Sequence, residues 1–210
     1  IAGIDLSVGS VLALAGMLAA GLQVRHGAGV AAAVLVPLAV STALGLLVGV
    51  VITKLKINAF VTTLGLMSIA RGLTLVYSNG YPISGLQPSF RFIGNGFIGP
   101  IPVPVIIYGL AVVVGALVLS QTRFGRYIYA IGGNEEAARL SGIPVDRYKI
   151  LVFGISGFAA GLGGLMLTAR LNSANPVAGT GYELDVIASV VIGGTSLFGG
   201  RGGVGGTLFG

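Results

Sequence analysis

Long apolar runs separated by short polar segments make up most of the chain. A helix needs about 20 apolar residues to cross the hydrocarbon core of a bilayer. Runs of about this length extend over Leu6–Val24, Val30–Thr53, Ile57–Val76, Ile101–Thr122 and Ile150–Ala169. The pattern predicts an all-α, polytopic membrane protein with about five full transmembrane helices.

Three details refine this pattern. Pro37 is predicted to kink the second span, and Pro102 and Pro104 open the fourth. Residues 78–100 are rich in Gly, Pro and Ser and are too irregular to span a membrane. The uncharged segment 186–200 is short and ends in glycines, which predicts a half-helix or re-entrant segment before the start of another span.

Composition supports a membrane protein. Only 9% of the residues are charged, against about 25% in soluble domains, and the mean hydropathy is +0.97. Glycine is abundant, with 37 residues. Gly45 and Gly49 are separated by three residues, and so are Gly157 and Gly161. This spacing favours close packing of membrane helices.

Basic residues predict the orientation of the chain. One set of connections carries Lys54, Lys56, Arg123, Arg126, Arg139, Arg147 and Lys149, and the opposite set carries Arg25, Arg91 and Arg170. Because cytoplasmic loops are enriched in Lys and Arg, we expect residues 121–149 in the cytoplasm and 78–100 outside. The net charge of +6 is scattered over these short connections, so we expect a lipid membrane and no nucleic acid as partner.

The segment from Asn134 to Pro144 predicts a short polar helix in the cytoplasmic loop. Asn134 is a suitable N-cap, and Glu135 and Glu136 lie at the positive end of the helix dipole. Gly142 can adopt the left-handed conformation that ends a helix. Ala137, Ala138 and Leu140 would offer a small apolar surface, and the two glutamates charge, to a soluble partner.

Signals for catalysis are weak. The chain has no phosphate-binding Gly-x4-Gly-Lys-Ser/Thr motif, no Cys and a single His, His26. Gly200, Gly202 and Gly205 match Gly-x-Gly-x2-Gly, but no strand precedes them and no acidic residue follows them. We therefore expect that the chain is not an enzyme and that it binds no cofactor.

Polar residues inside the apolar runs are candidates for a translocation path. Arg71 lies within the third span, where it could line a path, pair with Asp5, Glu183 or Asp185, or extend to the outer interface. Asn58, Thr62 and Thr63 would suit a neutral polyol. Alternatively, their side chains satisfy helix backbone or bridge helices, which the residue types favour.

Several stretches resemble a known family. Glu136-Ala137-Ala138, three residues and then Gly142 resemble the EAA loop of importer permeases of the ATP-binding-cassette (ABC) class. GIDLSVGSVLAL (3–14), TRFGRYIYAIGGNEEAARLSGIP (122–144) and ARLNSANPVAGTGYELDVIASVVIGGTSLFGG (169–200) resemble permeases of bacterial monosaccharide importers, ribose importers above all, in the branched-chain amino acid/ribose permease superfamily.

The resemblance implies one transmembrane permease domain over residues 1–210, expected to be incomplete at both ends, in the bacterial inner membrane. It implies a coupling helix within residues 121–149, a second permease copy, two cytoplasmic ATPase subunits that hold ATP and Mg²⁺, and a periplasmic sugar-binding protein. The sugar, ribose first, would pass unchanged between the permeases. An ion-coupled secondary transporter is the alternative, and it would not need the docking helix.

Overall fold

The computed structural model describes all 210 residues. Ten helices follow one another along the chain: α1 Val8–Val24, α2 Val30–Lys54, α3 Ala59–Ser78, α4 Pro88–Asn95, α5 Val103–Gln121, α6 Arg123–Gly133, α7 Glu135–Leu140, α8 Val145–Leu171, α9 Tyr182–Ile192 and α10 Val204–Phe209. The strands are two residues long: β1 Ile83–Ser84, β2 Phe97–Ile98, β3 Ile101–Pro102 and β4 Ser173–Ala174. The predicted all-α class is confirmed.

The long helices agree with the predicted spans. α2, α3, α5 and α8 are long and apolar enough to cross a membrane, and α1 is a shorter apolar helix of 17 residues. α2 continues through Pro37, which is buried. α9 is the predicted half-helix with 11 residues, and the short helix α10 follows it.

Two short helices lie where the sequence predicted only loops. α4 begins with Pro88 in its first turn, and its Phe90 is fully buried. α6 begins after Thr122, whose hydroxyl accepts a hydrogen bond from the amide of Gly125. Both are amphipathic and shorter than a span, so a search for long apolar runs does not find them.

The direction of each helix follows from its contacts. α1 runs parallel to α8, since Asp5 bonds Ser156 near one end and a Cβ added at Gly16 would meet Thr168 near the other. α2 is antiparallel to α8, because Gly49 lies against Ile150 and Gly161 against Ser41. β1 pairs with β4 in an antiparallel arrangement, which brings the end of α3 beside the end of α8.

The interior is formed by α1, α2 and α8. A Cβ added at Gly45 would collide with the carbonyl oxygen of Phe153, and one added at Gly157 would collide with that of Ser41. The predicted close packing at the two glycine pairs is therefore confirmed. Met17, Phe90 and Leu165 belong to the largest cluster of buried apolar residues, which has ten members.

The remaining membrane helices lie at the periphery. Only Val103 is buried in α5, and no residue of α9 or α10 is buried. α10 packs back along α9, since Gly206 lies against Gly193. This half of the chain leaves a wide apolar surface to lipid or to other protein.

Candidate functional site

Helix α7 begins and ends as its sequence predicts. The Asn134 side chain accepts a hydrogen bond from the amide of Ala137 at 2.9 Å, so it is the N-cap. At the other end Gly142 has φ +82°. Its amide donates to Arg139 O at 3.1 Å, and the amide of Ile143 donates to Ala138 O at 3.1 Å, which together form a Schellman motif.

The apolar surface of α7 differs from the one that the sequence predicted. Ala138 is 5% exposed and packs against Ile131 and Val145, so it fastens α7 to the protein and does not face a partner. Ala137 is exposed, and Leu140 is 85% exposed. Ala137 and Leu140 are three residues apart and so share one helix face, which leaves them as the outward apolar surface.

Ion pairs fasten α7 to its neighbours. Glu135 pairs with Lys149 and with Arg139, whose guanidinium also lies 3.0 Å from Asp146. Lys54, at the end of α2, lies 3.1 Å from the other oxygen of Asp146. Hydrogen bonding to Asp146 raises the pKa of Arg139. The sequence suggested both glutamates for a partner, but only Glu136 is free of ion pairs within the chain.

A cavity of about 550 Å³ lies between α7 and the connection from α2 to α3, and it is lined by Glu135, Arg139, Asp146 and Lys149. Lys56 and Asn58 line the same cavity. Asn58, a candidate for the translocation path, therefore lies at the charged end of the molecule, where its side chain caps α3 by accepting from the amide of Phe60 at 2.8 Å.

The two threonines proposed for the path bond to backbone. Thr62 donates to Asn58 O, one turn earlier, at 3.0 Å. Thr63 is fully buried, and its hydroxyl lies 3.3 Å from both Phe60 O and Ile4 O. Thr63 thus links α3 to the segment before α1. The alternative in which these side chains satisfy backbone groups and bridge segments describes both residues.

None of the charges proposed to pair with one another inside the membrane does so. Arg71 donates to the carbonyl oxygens of Pro176 at 2.7 Å and Ala178 at 2.9 Å. Asp5 accepts from the hydroxyls of Ser7 and Ser156, both at 2.6 Å. Glu183 is half-buried against Gly9, and Asp185 is exposed. Neutral polar groups therefore take the place of the expected ion pairs.

Several of these partners could not be predicted from the sequence. In the sequence, Lys54 and Lys149 indicated only the orientation of the chain in the membrane. Asp146 was not predicted to have a role, although it is the acidic residue in the first turn of α8. Ser156 and Pro176 carried no signal. Their roles depend on residues that are 100 or more positions away in the chain.

The two predicted loops lie at opposite ends of the bundle. α7 and the first turn of α8 are at one end, where they meet the end of α2. α8 runs from there to Leu171, and β4 directly after it pairs with β1 inside residues 78–100. Which end faces the cytoplasm stays a prediction from the basic residues.

Comparisons with known proteins identify the family. The protein-family model described as "Branched-chain amino acid transport system / permease component" matches residues 1–210. The chain is 50% identical to the ribose import permease protein RbsC of Haemophilus influenzae, covering 100% of this chain and 66% of that protein. It is 49% identical to RbsC of Bacillus subtilis, covering 99% of this chain and 65% of that protein.

The D-allose transport system permease protein AlsC of Escherichia coli is 44% identical, over 96% of this chain and 62% of AlsC. No solved structure matches the chain. The chain spans about 62–66% of the length of these curated relatives. The spanning helices and the permease relatives establish a multi-pass protein of the bacterial inner membrane, and the match over residues 1–210 shows that the chain belongs to the branched-chain amino acid transport permease family.

Proposed function

We propose that the protein is the permease of an ATP-driven importer and forms the translocation path for a monosaccharide, ribose first. The observation that carries this proposal is the identity of 49–50% with ribose import permeases over nearly the whole chain. The similarity to a D-allose permease is lower, at 44%, and it keeps other monosaccharides as candidates. The whole chain is taken as one permease domain that transports the sugar without changing it.

Helix α7 is the proposed coupling helix toward two cytoplasmic ATPase subunits. Its support is geometric: a capped two-turn helix presents Ala137 and Leu140 outward and keeps Glu136 unpaired. Gly142 sets the direction in which the chain returns to the membrane. ATP and Mg²⁺ would be held by the ATPases, and this chain would bind no cofactor.

The ion pairs around α7 suggest how its displacement reaches the membrane. Glu135 and Arg139 connect α7 to Lys149 and Asp146 in the first turns of α8, and Asp146 connects onward to Lys54 of α2. Closure of the ATPase dimer would push α7 and, through these contacts, the packed pair α2 and α8. A second permease copy and a periplasmic sugar-binding protein complete the proposed assembly.

Transport assays separate this proposal from an ion-coupled secondary transporter. The protein as its gene encodes it is reconstituted in vesicles with its ATPase subunits, and binding protein loaded with ribose is added on the periplasmic face. ATP on the ATPase side should drive uptake that survives collapse of the ion gradients by ionophores. Uptake that needs an ion gradient and ignores ATP would establish the alternative.

Two substitutions test the coupling role of α7. Gly142→Val places a β-branched residue at φ +82°, where such a side chain is strained. Ala137→Arg places a long charged side chain on the outward face. We expect both variants to insert normally but to lose ATPase co-purification and ribose uptake.

Matched controls keep the backbone and the small outward side chain. Gly142→Asn can adopt the left-handed conformation, and Ala137→Ser retains a small residue, so both should bind the ATPase and transport. Normal association in Gly142→Val and Ala137→Arg would remove α7 as the docking element, without deciding whether the protein transports ribose by another contact.

Orientation is tested by cysteine labelling, since the chain contains no Cys. Ser141→Cys on α7 should be protected from an impermeant thiol reagent added outside intact spheroplasts, whereas Tyr81→Cys in the 78–100 segment should react. Both positions are exposed, so access to the reagent decides the result. The reverse pattern would invert the proposed orientation.

A further inference from the structure

The segment between α8 and α9 turns back into the membrane. It starts at the end of α8, where β4 pairs with β1. It then descends to Gly179, which lies against Gly9 of α1. Gly9 is level with the middle of α8, because Asp5 before it bonds Ser156 and Leu12 after it lies against Gly164. Residues 175–181 are therefore non-helical backbone in the half of the bundle that ends at β1 and β4.

Arg71 holds this segment from one side. Its guanidinium donates to the carbonyl oxygens of Pro176 and Ala178, at 2.7 and 2.9 Å. Pro176 is buried, so these bonds fix the segment against α3. Non-helical backbone at this depth is tolerated only where other protein groups satisfy it or where it lines a water-filled cavity. Arg71 supplies donors to two of the carbonyls.

Gly179 fixes the segment from the other side. It has φ +67°, and a Cβ added there would lie 2.7 Å from the carbonyl oxygen of Gly9. The backbone thus touches α1 at a position that no other residue fits without displacement. Contacts to α1 and α3 hold the segment in one conformation at half depth.

Polar groups of this segment remain exposed. The side chains of Asn175 and Thr180 are exposed, and so is Asp185 one turn into α9. The Asn175 oxygen accepts from the amide of Val177, and the Thr180 hydroxyl donates to Val177 O at 2.8 Å. The amide nitrogen of Asn175 and the Asp185 carboxylate have no partner in the chain. Lipid tails offer none, so these groups require water, a polar solute or polar groups of another subunit.

We propose that residues 175–185 form a solute-contact site at membrane depth, with Arg71 as the residue that positions it. The inference rests on the proposed function, which supplies a translocation path for these groups to face. The site takes a neutral polyhydroxy compound. Its hydroxyls can donate to Asp185 and accept from the Asn175 amide.

The charges argue against an anionic solute. Glu183 and Asp185 lie in the first turn of α9 and offset the positive end of its dipole. Arg71 is committed to backbone carbonyls. A phosphate or carboxylate would meet the two carboxylates of α9, so a sugar phosphate should be excluded.

Thiol labelling tests the site without depending on transport. Thr180→Cys is compared with Leu110→Cys on α5, a position that is 63% exposed but apolar in its surroundings. Both are placed in the protein as its gene encodes it, assembled with its ATPases in membranes. A water-soluble cationic methanethiosulfonate should modify Thr180→Cys at least about tenfold faster, because a thiol in an apolar environment forms little thiolate. Equal rates would overturn the proposal.

Two further measurements decide the chemistry. The anionic methanethiosulfonate should react more slowly than the cationic one at Thr180→Cys, and Glu183→Gln with Asp185→Asn should remove the difference. No preference would overturn the exclusion of anions. Asn175→Cys serves as the labelling position if Thr180→Cys does not insert.

The positioning role of Arg71 is tested by Arg71→Met and Arg71→Lys at matched amounts of inserted protein. In Arg71→Lys the ammonium group can still donate to both carbonyls, so Thr180→Cys should be labelled at nearly the same rate as with Arg71 present. In Arg71→Met the donors are lost, so the labelling rate of Thr180→Cys should change. Equal rates in both variants would overturn this role. Absence of ribose uptake in the unsubstituted protein would instead contradict the proposed function and leave the labelling result standing.

Discussion

Helix α8 holds two neighbours in opposite ways. Along α2, the contact is between backbones: Ala33, Pro37, Ser41, Gly45 and Gly49 form a buried stripe with one small residue in every four. At α7, the contact is one buried alanine, Ala138, and a set of exposed ion pairs. The first contact lies inside the membrane span and the second at its end.

The difference separates a fixed contact from an adjustable one. Association of helices in lipid depends on close packing, since lipid tails are as apolar as the side chains that they would replace. Backbones in direct contact cannot shift without steric overlap. Exposed ion pairs are individually weak and tolerate small displacements. We therefore expect α2 and α8 to move as one unit and α7 to respond to a partner.

The largest effect is expected at the α2–α8 contact. Gly45→Leu adds four carbon atoms where even a Cβ would collide with the carbonyl oxygen of Phe153, so the helices must separate. Gly109→Leu on α5 is the matched control, because nothing lies within 4 Å of a Cβ added there. The amount of monodisperse protein after detergent extraction should fall sharply for Gly45→Leu and stay unchanged for Gly109→Leu. Equal yields would show that the contact can open.

A smaller loss is expected from a cavity beside the same contact. Leu165 of α8 is 1% exposed and belongs to the cluster with Met17 and Phe90. Leu165→Ala should lower the free energy of unfolding by about 2–5 kcal/mol, measured by denaturant titration in detergent micelles. Leu110→Ala on α5 makes the same change at a position that is 63% exposed. A comparable loss at Leu110 would place α5 against protein.

The two contacts on α8 also differ in how far the sequence predicts them. Glycine pairs at a spacing of four indicated the α2–α8 contact, because both the period of the helix and the need for small residues are local properties. The caps of α7 were predicted for the same reason, since Asn134 and Gly142 act on amides and carbonyls within a few residues.

Long-range partners could not be predicted in this way. Ala138 faces inward because of Ile131 and Val145, which a six-residue helix does not specify. Arg71 donates to two backbone carbonyl groups more than 100 residues away in the chain. Because every residue has a backbone carbonyl group, nothing in the sequence identifies these two carbonyls as its partners. Carboxylates were the expected partners because their charge is visible in the sequence.

A loss of about 1 kcal/mol is expected at the N-cap of α7. Asn134→Ala removes the acceptor for the Ala137 amide, whereas Asn134→Asp keeps one. Hydrogen exchange should speed up for the amides of α7 in Asn134→Ala and remain unchanged in α2 and α8. Faster exchange throughout α8 would contradict the view that α7 is fastened separately, and the aspartate variant controls for the loss of the asparagine amide.

The smallest effect is expected for the ion pair between Lys54 and Asp146. Lys54 is 62% exposed and Asp146 28% exposed in their side chains, and such pairs contribute about 0.2–1 kcal/mol. Lys54→Met should therefore change the free energy of unfolding only slightly. Asp146→Asn should cost more, because Asp146 also pairs with Arg139. The double variant in a mutant cycle isolates the interaction between Lys54 and Asp146 from the effects of each side chain alone. A coupling energy well above this range would mean that α7, α8 and the end of α2 form one rigid block, and the adjustable half of the comparison would fail.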